Sequence, residues 1–363
     1  MLAITGPIKT IASNNQTIRM ATISTATATN NGCYNFNQDR AGVLTRGPST
    51  LVTVFDGHGT YGEQAAIWAQ EHFQGCDPAV AYEDMFAGAD RSIYDRLKGH
   101  LHGLRVPFVE RDGALYTTGY YGALGAPVRG GTTASAIRVG PTGAMTSAHV
   151  GDSEVRFWDC DGEGVGLCVD HSPNNIDEFL RVRASYPASQ FLFGSPQGVT
   201  TRPVFVPSGV SWTLHPSGGC QYSDVRHSWA SYFVVAGAAG REQLAMTRAL
   251  GNFGMKRNGL ISQPYTAEVA APAVGVTRAI VLASDGLWDA VQYAEVCRIV
   301  RQPEFLDSHN ADGAAALLLD YGIAKSKEVF GGVAAHDNIT VAVTYVTATN
   351  VNEVPAVAAE EVD

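Results

Sequence analysis

The chain has 363 residues, 45% hydrophobic and 17% charged, a globular composition long enough for one large domain or two ordinary ones. Its 25 Lys+Arg against 35 Asp+Glu give a formal net charge of -10, which would repel polyphosphate and argues against a nucleic-acid partner. No apolar run approaches the roughly 20 residues that cross a bilayer, so no membrane span is expected either.

Met1–Gln38 contains no Asp or Glu and is rich in Ser, Thr and Ala, as organelle transit peptides are. Its only basic residues are Lys9 and Arg19, however, and Arg19–Thr29 alternates as a strand does. The expectation is an intracellular protein, cytoplasmic or nuclear, with organelle targeting the weaker alternative. The six cysteines form no CxxC pair, which excludes zinc-ribbon and thioredoxin chemistry and leaves reduced, mostly buried thiols as the expectation.

Ile18–Thr27, Ala41–Leu44 and Leu51–Phe55 read as strands. A helix is expected over Tyr61–Phe73, with Ala65, Ala66, Ala69 and Phe73 on one face. A second is expected over about Pro78–Leu101, where Tyr82, Met85, Phe86, Ala89, Ile93 and Leu97 recur at spacings of three and four. Leu115–Val128, rich in Gly and Tyr, reads as a loop insertion. Thr132–Val139 and Ala144–Val150 read as strands, with Glu154–Trp158 pairing back across the Gly151–Ser153 turn. Asn174–Ala184 is a short helix.

Ser185–Gly240, with many Pro, Gly and Ser residues, is expected to form a surface subdomain. Phe191–Phe193, Val204–Val206 and Tyr232–Val235 are its strand segments. Gln292–Arg301 and Gly313–Phe330 are helices, and Ile339–Val346 is the closing strand. Thr347–Asp363 reads as a mobile acidic tail. Strands and helices come in blocks, which favours antiparallel sheets packed together with helices outside.

Carboxylates cluster at the ends of the apolar runs. Leu51–Phe55 runs into Asp56, Ala144–Val150 into Gly151 and Asp152, and Ala279–Ser284 into Asp285, while Asp337–Asn338 heads Ile339–Val346. A carboxylate at the end of a buried strand is held rigidly yet reaches solvent. If the fold gathers them, their repulsion calls for a cation between them, and Mg2+ or Mn2+ prefers oxygen ligands. Taken singly, each Asp is equally a turn or cap residue. Asp152 is read either as a ligand or as the turn of a hairpin. Thr132 and Thr133 read as sheet supports, Trp288 as core, and Asp170-His171 as a turn into the next helix.

Seven segments in order carry a family resemblance: Asn37-Gln38-Asp39, Asp56-Gly57-His58-Gly59, Gly130-Gly131-Thr132-Thr133-Ala134, Val150-Gly151-Asp152-Ser153, the run from Leu244 to Gly251, the run from Leu282 to Asp289, and Asp337-Asn338-Ile339-Thr340-Val341. Asp170-His171-Ser172-Pro173 with Glu178 and Arg181 adds to them. Together they resemble the metal-dependent type 2C Ser/Thr protein phosphatases. The resemblance implies an α+β fold, a four-layer α/β/β/α sandwich of two mainly antiparallel sheets flanked by helix pairs. It implies one catalytic domain over residues 17–347, with a flap-like insertion at about 185–240 and a tail over 348–363.

It also implies hydrolysis of phosphoserine and phosphothreonine in proteins by water activated between two Mg2+ or Mn2+ ions. Asp56 would bridge the ions, and Asp285 and Asp337 would complete the first. The Gly57 carbonyl with Gln38 and Asp39 would hold the second, and Asp152 with Asp285 a weaker third. His58 would act as general acid. The partner would be a phosphoprotein, with the oligomeric state open and a monomer the default.

Departures from the family pattern support a second expectation, a catalytically weak member acting as a regulatory binding module. Gln38 stands where glutamate often ligates, and Tyr34 stands near the place of a phosphate-binding arginine, for which Arg40 is a possible substitute. Glu154 follows Gly-Asp-Ser where arginine is common, and Asn252 stands where aspartate is usual, a position read as structural. Hydrolysis of a small phosphorylated metabolite is a third reading.

Overall fold

In the computed structural model of the chain, residues 18–119, 123–195, 198–215, 230–237, 240–330 and 337–351 are described. Two five-stranded antiparallel sheets form the centre. In one, Ser49–Phe55 lies between Arg40–Arg46 and Ala134–Val139, and Met145–Val150 and Tyr265–Val269 follow outward. In the other, Ile339–Val351 lies between Ile18–Asn30 and Thr277–Ala283, with Glu154–Trp158 and Val165–Gly166 beyond.

Side-chain alternation sorts each central strand between two buried faces. Val52, Val54, Ile137, Val139, Ile280, Leu282, Ala342 and Val346 fill the layer between the sheets. Leu51, Phe55, Ala134 and Ala136 point the other way, into the core under helices Gly62–Gly75 and Tyr82–Gly103. On the opposite outer face, Ala279, Val281, Ile339, Val341, Val343 and Tyr345 meet helices Tyr293–Val300 and Ala311–Phe330. Strands buried on both faces read as continuous apolar runs, which is why these stood out in the sequence. The result is the expected α+β sandwich of four layers.

Several boundaries and pairings differ from the sequence reading. Tyr82–Gly103 begins later than Pro78, because Asp77 accepts a hydrogen bond from Ala79 N at 2.8 Å and turns the chain first. The segment expected as a loop insertion is a meander of Phe108–Arg111, Ala114–Thr118 and Leu124–Pro127, with Ala114, Leu115 and Tyr116 buried in the core. Glu154–Trp158 does not pair back on Met145–Val150; it pairs with Thr277–Ala283 in the other sheet. Gly151–Ser153 is therefore a crossing between sheets and not a hairpin. The closing strand continues to Val351, paired residue by residue with Ile18–Asn30. The rest of the expected tail, 352–363, and the first 17 residues lie outside the described residues.

The flap-like stretch carries its own sheet, Gly198–Pro203, Gln190–Ser195, Ala230–Gly237 and Gly240–Leu244, plus a hairpin of Phe205–Ser208 and Ser211–Leu214. Phe191, Phe193, Val204 and Phe205 bury against Phe179 and Val182 of helix Ile176–Ser185 and against Met246, Met255 and Leu260. The described cysteines, Cys33, Cys76, Cys160, Cys168 and Cys297, are free thiols, but only Cys297 is buried, so the expectation of mostly buried thiols does not hold among the described residues. Among the described residues no helix is long and apolar enough to cross a membrane.

Candidate metal centre

The two central sheets bring their strand ends to one place. Asp56 follows Ser49–Phe55 in the first sheet, and Asp285 follows Thr277–Ala283 in the second. Asp152 sits on the crossing between the sheets, and Asp337 heads the long strand Ile339–Val351. Thr133 braces the junction: its Oγ1 accepts the Asp56 N–H at 3.0 Å and bonds Ser153 Oγ at 2.7 Å, while its own N–H donates to the Asp56 carbonyl at 2.8 Å. Its expected role as a support matches this geometry. Asp152 is anchored by a second contact, because Gly151 N donates to His171 Nδ1 at 3.2 Å and His171 stacks on His149 with centroids 4.5 Å apart.

A further layer of bonds sets the Asn37-Gln38-Asp39 loop against Asp337. Asn338 Oδ1 accepts from Gln38 N at 2.8 Å, and Asn338 Nδ2 donates to the Asn31 carbonyl at 2.6 Å. Ser284 Oγ donates to Asp39 Oδ2 at 2.7 Å while accepting from Thr340 N at 3.0 Å. Gly57 pairs with Thr132 and approaches its neighbours so closely that a Cβ there would lie 2.4 Å from the Gly62 carbonyl and 2.7 Å from that of Gln38. Only glycine fits this position.

These acids are buried and feel one another's charge. Burial raises Asp56 well above the usual carboxylate range, and Asp285, Asp39, Asp337 and Asp152 add to the rise by like-charge repulsion. Asp39 is pushed up to about 7 by burial, against the Ser284 hydrogen bond, with Asp285 and Asp337 adding to it. Burial and Asp285 push Asp337 up to about 6. Asp152 is raised by burial, then by Asp285, Asp170 and Asp289. Burial raises Asp285 as well, with the Asp56 side chain and the Gly286 backbone acting against the rise. The structure thus brings together Asp39, Asp56, Asp152, Asp285 and Asp337.

A sixth carboxylate went unassigned in the sequence. Asp289 is raised well above its ordinary range by burial, then by Asp285 and Asp337. Its N–H donates to the Asp285 carbonyl at 2.8 Å, one helical turn on, which sets the two residues on the same face. That spacing, visible in Asp285-Gly286-Leu287-Trp288-Asp289, was the signal. Trp288 between them is core, as expected, and donates its indole N–H to the Ala283 carbonyl at 2.9 Å.

The donor set is all oxygen, which suits Mg2+ or Mn2+. Asp39 Oδ1, Asp152 Oδ1 and Asp285 Oδ1 are buried without a hydrogen-bond partner, a costly state that a cation would relieve. Among the described residues, no three such side chains already close around one point as a finished coordination cage. The residues fit the ion by the chemistry of their donor atoms.

Gln38, His58, Arg40, Glu154 and Asp170 each have a hydrogen-bond partner. Gln38 Nε2 donates to the Gly59 carbonyl at 3.0 Å, which leaves its Oε1 as the potential ligand atom. His58 is pushed down to about 4 by burial, offset in part by the Asp56 backbone, and its Nε2 contacts the side-chain amide of Asn252. Asn252 holds φ 48°, a left-handed conformation that asparagine tolerates. Arg40 donates to the carbonyls of Asn37 and Asp39 and pairs with Glu63 at 2.8 Å. Glu154 accepts from the Tyr293 hydroxyl at 3.0 Å. Asp170 accepts from Ser172 N at 2.7 Å, the expected turn into the next helix.

Comparison with known proteins agrees with this architecture. The family model described as Protein phosphatase 2C matches residues 15–202 and 221–328. Protein phosphatase 2C 50 of Oryza sativa subsp. japonica is 26% identical over 302 residues, covering 76% of this chain and 60% of that protein. Protein phosphatase 2C 77 of Arabidopsis thaliana is 28% identical over 269 residues, covering 73% of this chain and 49% of that protein. The chain thus matches about half of each of these relatives. Among solved structures, a serine-threonine phosphatase 2C from Toxoplasma gondii aligns with a TM-score of 0.59 at 18% identity, covering 90% of this chain and 95% of that one. A C. elegans sex determining protein aligns at 0.53, also 18% identical, covering 89% and 64%. These structural likenesses speak to the fold, and the family model, matching most of the chain, places it in the protein phosphatase 2C family.

Proposed function

We propose that this chain hydrolyses phosphoserine and phosphothreonine in proteins with the help of two divalent ions, Mg2+ or Mn2+. The observation that supports this most is the gathering of six carboxylates around Asp285, with buried oxygens left unbonded. Asp56 would hold both ions, Asp285 and Asp337 the first, and the Gly57 carbonyl with Gln38 and Asp39 the second. Asp152, Asp285 and Asp289 would hold a weaker third. When bound, the ions would acidify an attacking water and neutralise charge on the phosphoryl oxygens.

The chain's own residues do the positioning. Thr133 and Ser284 fix Asp56 and Asp39 by short hydrogen bonds, so little reorganisation remains when substrate arrives. His58 would protonate the leaving serine or threonine oxygen. Its burial keeps it neutral in the free protein, and an incoming phosphate dianion would raise its proton affinity. Arg40, committed to Glu63 and to the loop carbonyls, we read as a strut for the Asn37–Asp39 loop.

The test is phosphate release from a phosphothreonine peptide and from a sugar phosphate, each with Mn2+ and with chelator. Metal-dependent release that favours the peptide is expected. Release from neither would establish the weak, regulatory reading suggested by Gln38, and preference for the sugar phosphate would establish a metabolite phosphatase.

A further inference from the structure

A phosphate dianion approaching six carboxylates needs a protein cation as well as metal ions. The segments that build the cleft carry Arg40, Arg129, Arg156, Arg181, Arg248 and Lys256. Most are spent. Arg40 pairs with Glu63. Arg156 is stacked on Tyr293, with its guanidinium carbon 3.5 Å from the ring centroid, and donates to the Glu163 carbonyl. Arg181 and Arg248 share Glu178, at 2.7 and 2.6 Å. Lys256 is held by Asp90 at 3.0 Å and by the Ala249 carbonyl. Arg129 alone of these makes no hydrogen bond or ion pair through its side chain among the described residues, and it is exposed.

Its backbone is fixed to the edge of the centre. The Arg129 carbonyl accepts the Tyr61 N–H at 3.0 Å. Gly59, at φ +83°, lies so close that a Cβ there would meet the Arg129 carbonyl carbon at 3.3 Å and its Cβ at 3.4 Å. Two residues on, Gly131 pairs with His58. The arginine arm therefore starts beside the Asp56-Gly57-His58-Gly59 turn, with its length free to move. Glu242, buried on strand Gly240–Leu244 with Oε1 unbonded, feels the charge of Arg129.

We propose that Arg129 is the substrate-binding cation of this centre, donating its paired N–H groups to the phosphoryl oxygens from the His58 side. A guanidinium suits that role because its planar fork meets two phosphate oxygens at once. The inference rests on the phosphomonoester reading above and adds the residue that grips the dianion. Tyr34, stacked with Phe36 and feeling the charge of Asp337, brings no positive charge to it.

The experiment compares wild type, Arg129→Gln and Arg129→Lys, saturated with Mn2+, on a phosphothreonine peptide and on a small aryl phosphate, with inorganic phosphate as competing ligand. Arg129→Gln is expected to raise KM for both substrates about 10-fold or more and to weaken phosphate binding in calorimetry by a similar factor. Its kcat should fall far less, its melting temperature should stay at the wild-type value, and Arg129→Lys should fall between. Unchanged KM and phosphate affinity, with wild-type turnover intact, overturn the inference and leave the phosphatase reading standing. A rise in KM for the peptide alone also overturns it, since Arg129 would then touch the peptide and not the phosphate. Absence of metal-dependent turnover in wild type removes the phosphatase reading and this inference with it.

Discussion

Replacing Asp285 by asparagine is expected to cut metal-dependent phosphate release by about a thousandfold or more while raising the melting temperature of the metal-free protein. The two effects share one cause. Asp285 is the foremost charged neighbour raising Asp56, Asp152, Asp289 and Asp337, and it also raises Asp39. Removing its charge removes a ligand of the proposed first and third ions, hence the loss of several kcal/mol of transition-state stabilisation. The same change relieves repulsion in the empty cluster, and asparagine keeps the shape of the side chain.

The pH dependence fixes the sign. Carboxylates whose folded pKa is raised favour the fold below their ordinary range and oppose it as pH rises through the folded value. For Asp337 and Asp39 that window runs from the ordinary carboxylate range up to about 6 and about 7 respectively. The wild-type melting temperature in chelator should therefore fall between about pH 4 and pH 7, and the variant's should fall less. Thermal melts in chelator and in Mn2+ measure both. A variant that melts lower than wild type without metal would show that Asp285 is a structural partner and not a strained ligand.

Glu178→Ala is expected to destabilise the protein by about 3–5 kcal/mol, because it strands two arginines at once. The Glu178 carboxylate is 4% exposed. It accepts from Arg181 Nη2 at 2.7 Å, Arg248 Nη2 at 2.6 Å and Thr247 Oγ1 at 2.8 Å. Arg181 reaches on to the Gly259 carbonyl, and Thr247 to that of His171. One carboxylate thus ties helix Ile176–Ser185 to the Met246–Asn252 segment, whose Asn252 contacts His58.

Burial alone would raise Glu178, but hydrogen bonds from Arg248 and Arg181 outweigh it and hold the group down at about 2. Its contribution is present above the ordinary glutamate range and is lost as pH falls from about 4.5 towards 2. Urea melts at pH 7 and pH 3 should show a variant-to-wild-type gap that shrinks on acidification. Equal stability at pH 7 would mean that the arginines find other partners.

The sandwich was legible because its central strands are buried on both faces. Ala279–Ala283 is an uninterrupted apolar run, Leu51–Phe55 is broken only by the buried Thr53, and each delivers a carboxylate at its end. Misreadings arose where partners are distant in sequence. Nothing local in Glu154–Trp158 says that it pairs with Thr277–Ala283 and not with its neighbour. Ala114–Thr118 carries too few residues to show a period, yet it buries Tyr116. The aspartates were found because each sits in a short motif. Asn338 and Ser284, whose bonds hold the Gln38 and Asp39 loop, look like ordinary strand-end polar residues until the fold brings them there. Arg129 carried no signal at all, since what distinguishes it is the engagement of the other cleft cations.

Titration of the metal-free protein with Mn2+ at pH 7, by calorimetry in two buffers of different ionisation enthalpy, tests the gathering of these carboxylates most directly. With Asp39 held at about 7 and Asp56 raised well above the usual carboxylate range by burial, cation binding must displace protons. The account predicts saturable binding with release of about one proton or more per protein, reduced in Asp285→Asn. Absence of saturable binding, or binding that releases no proton, would contradict it.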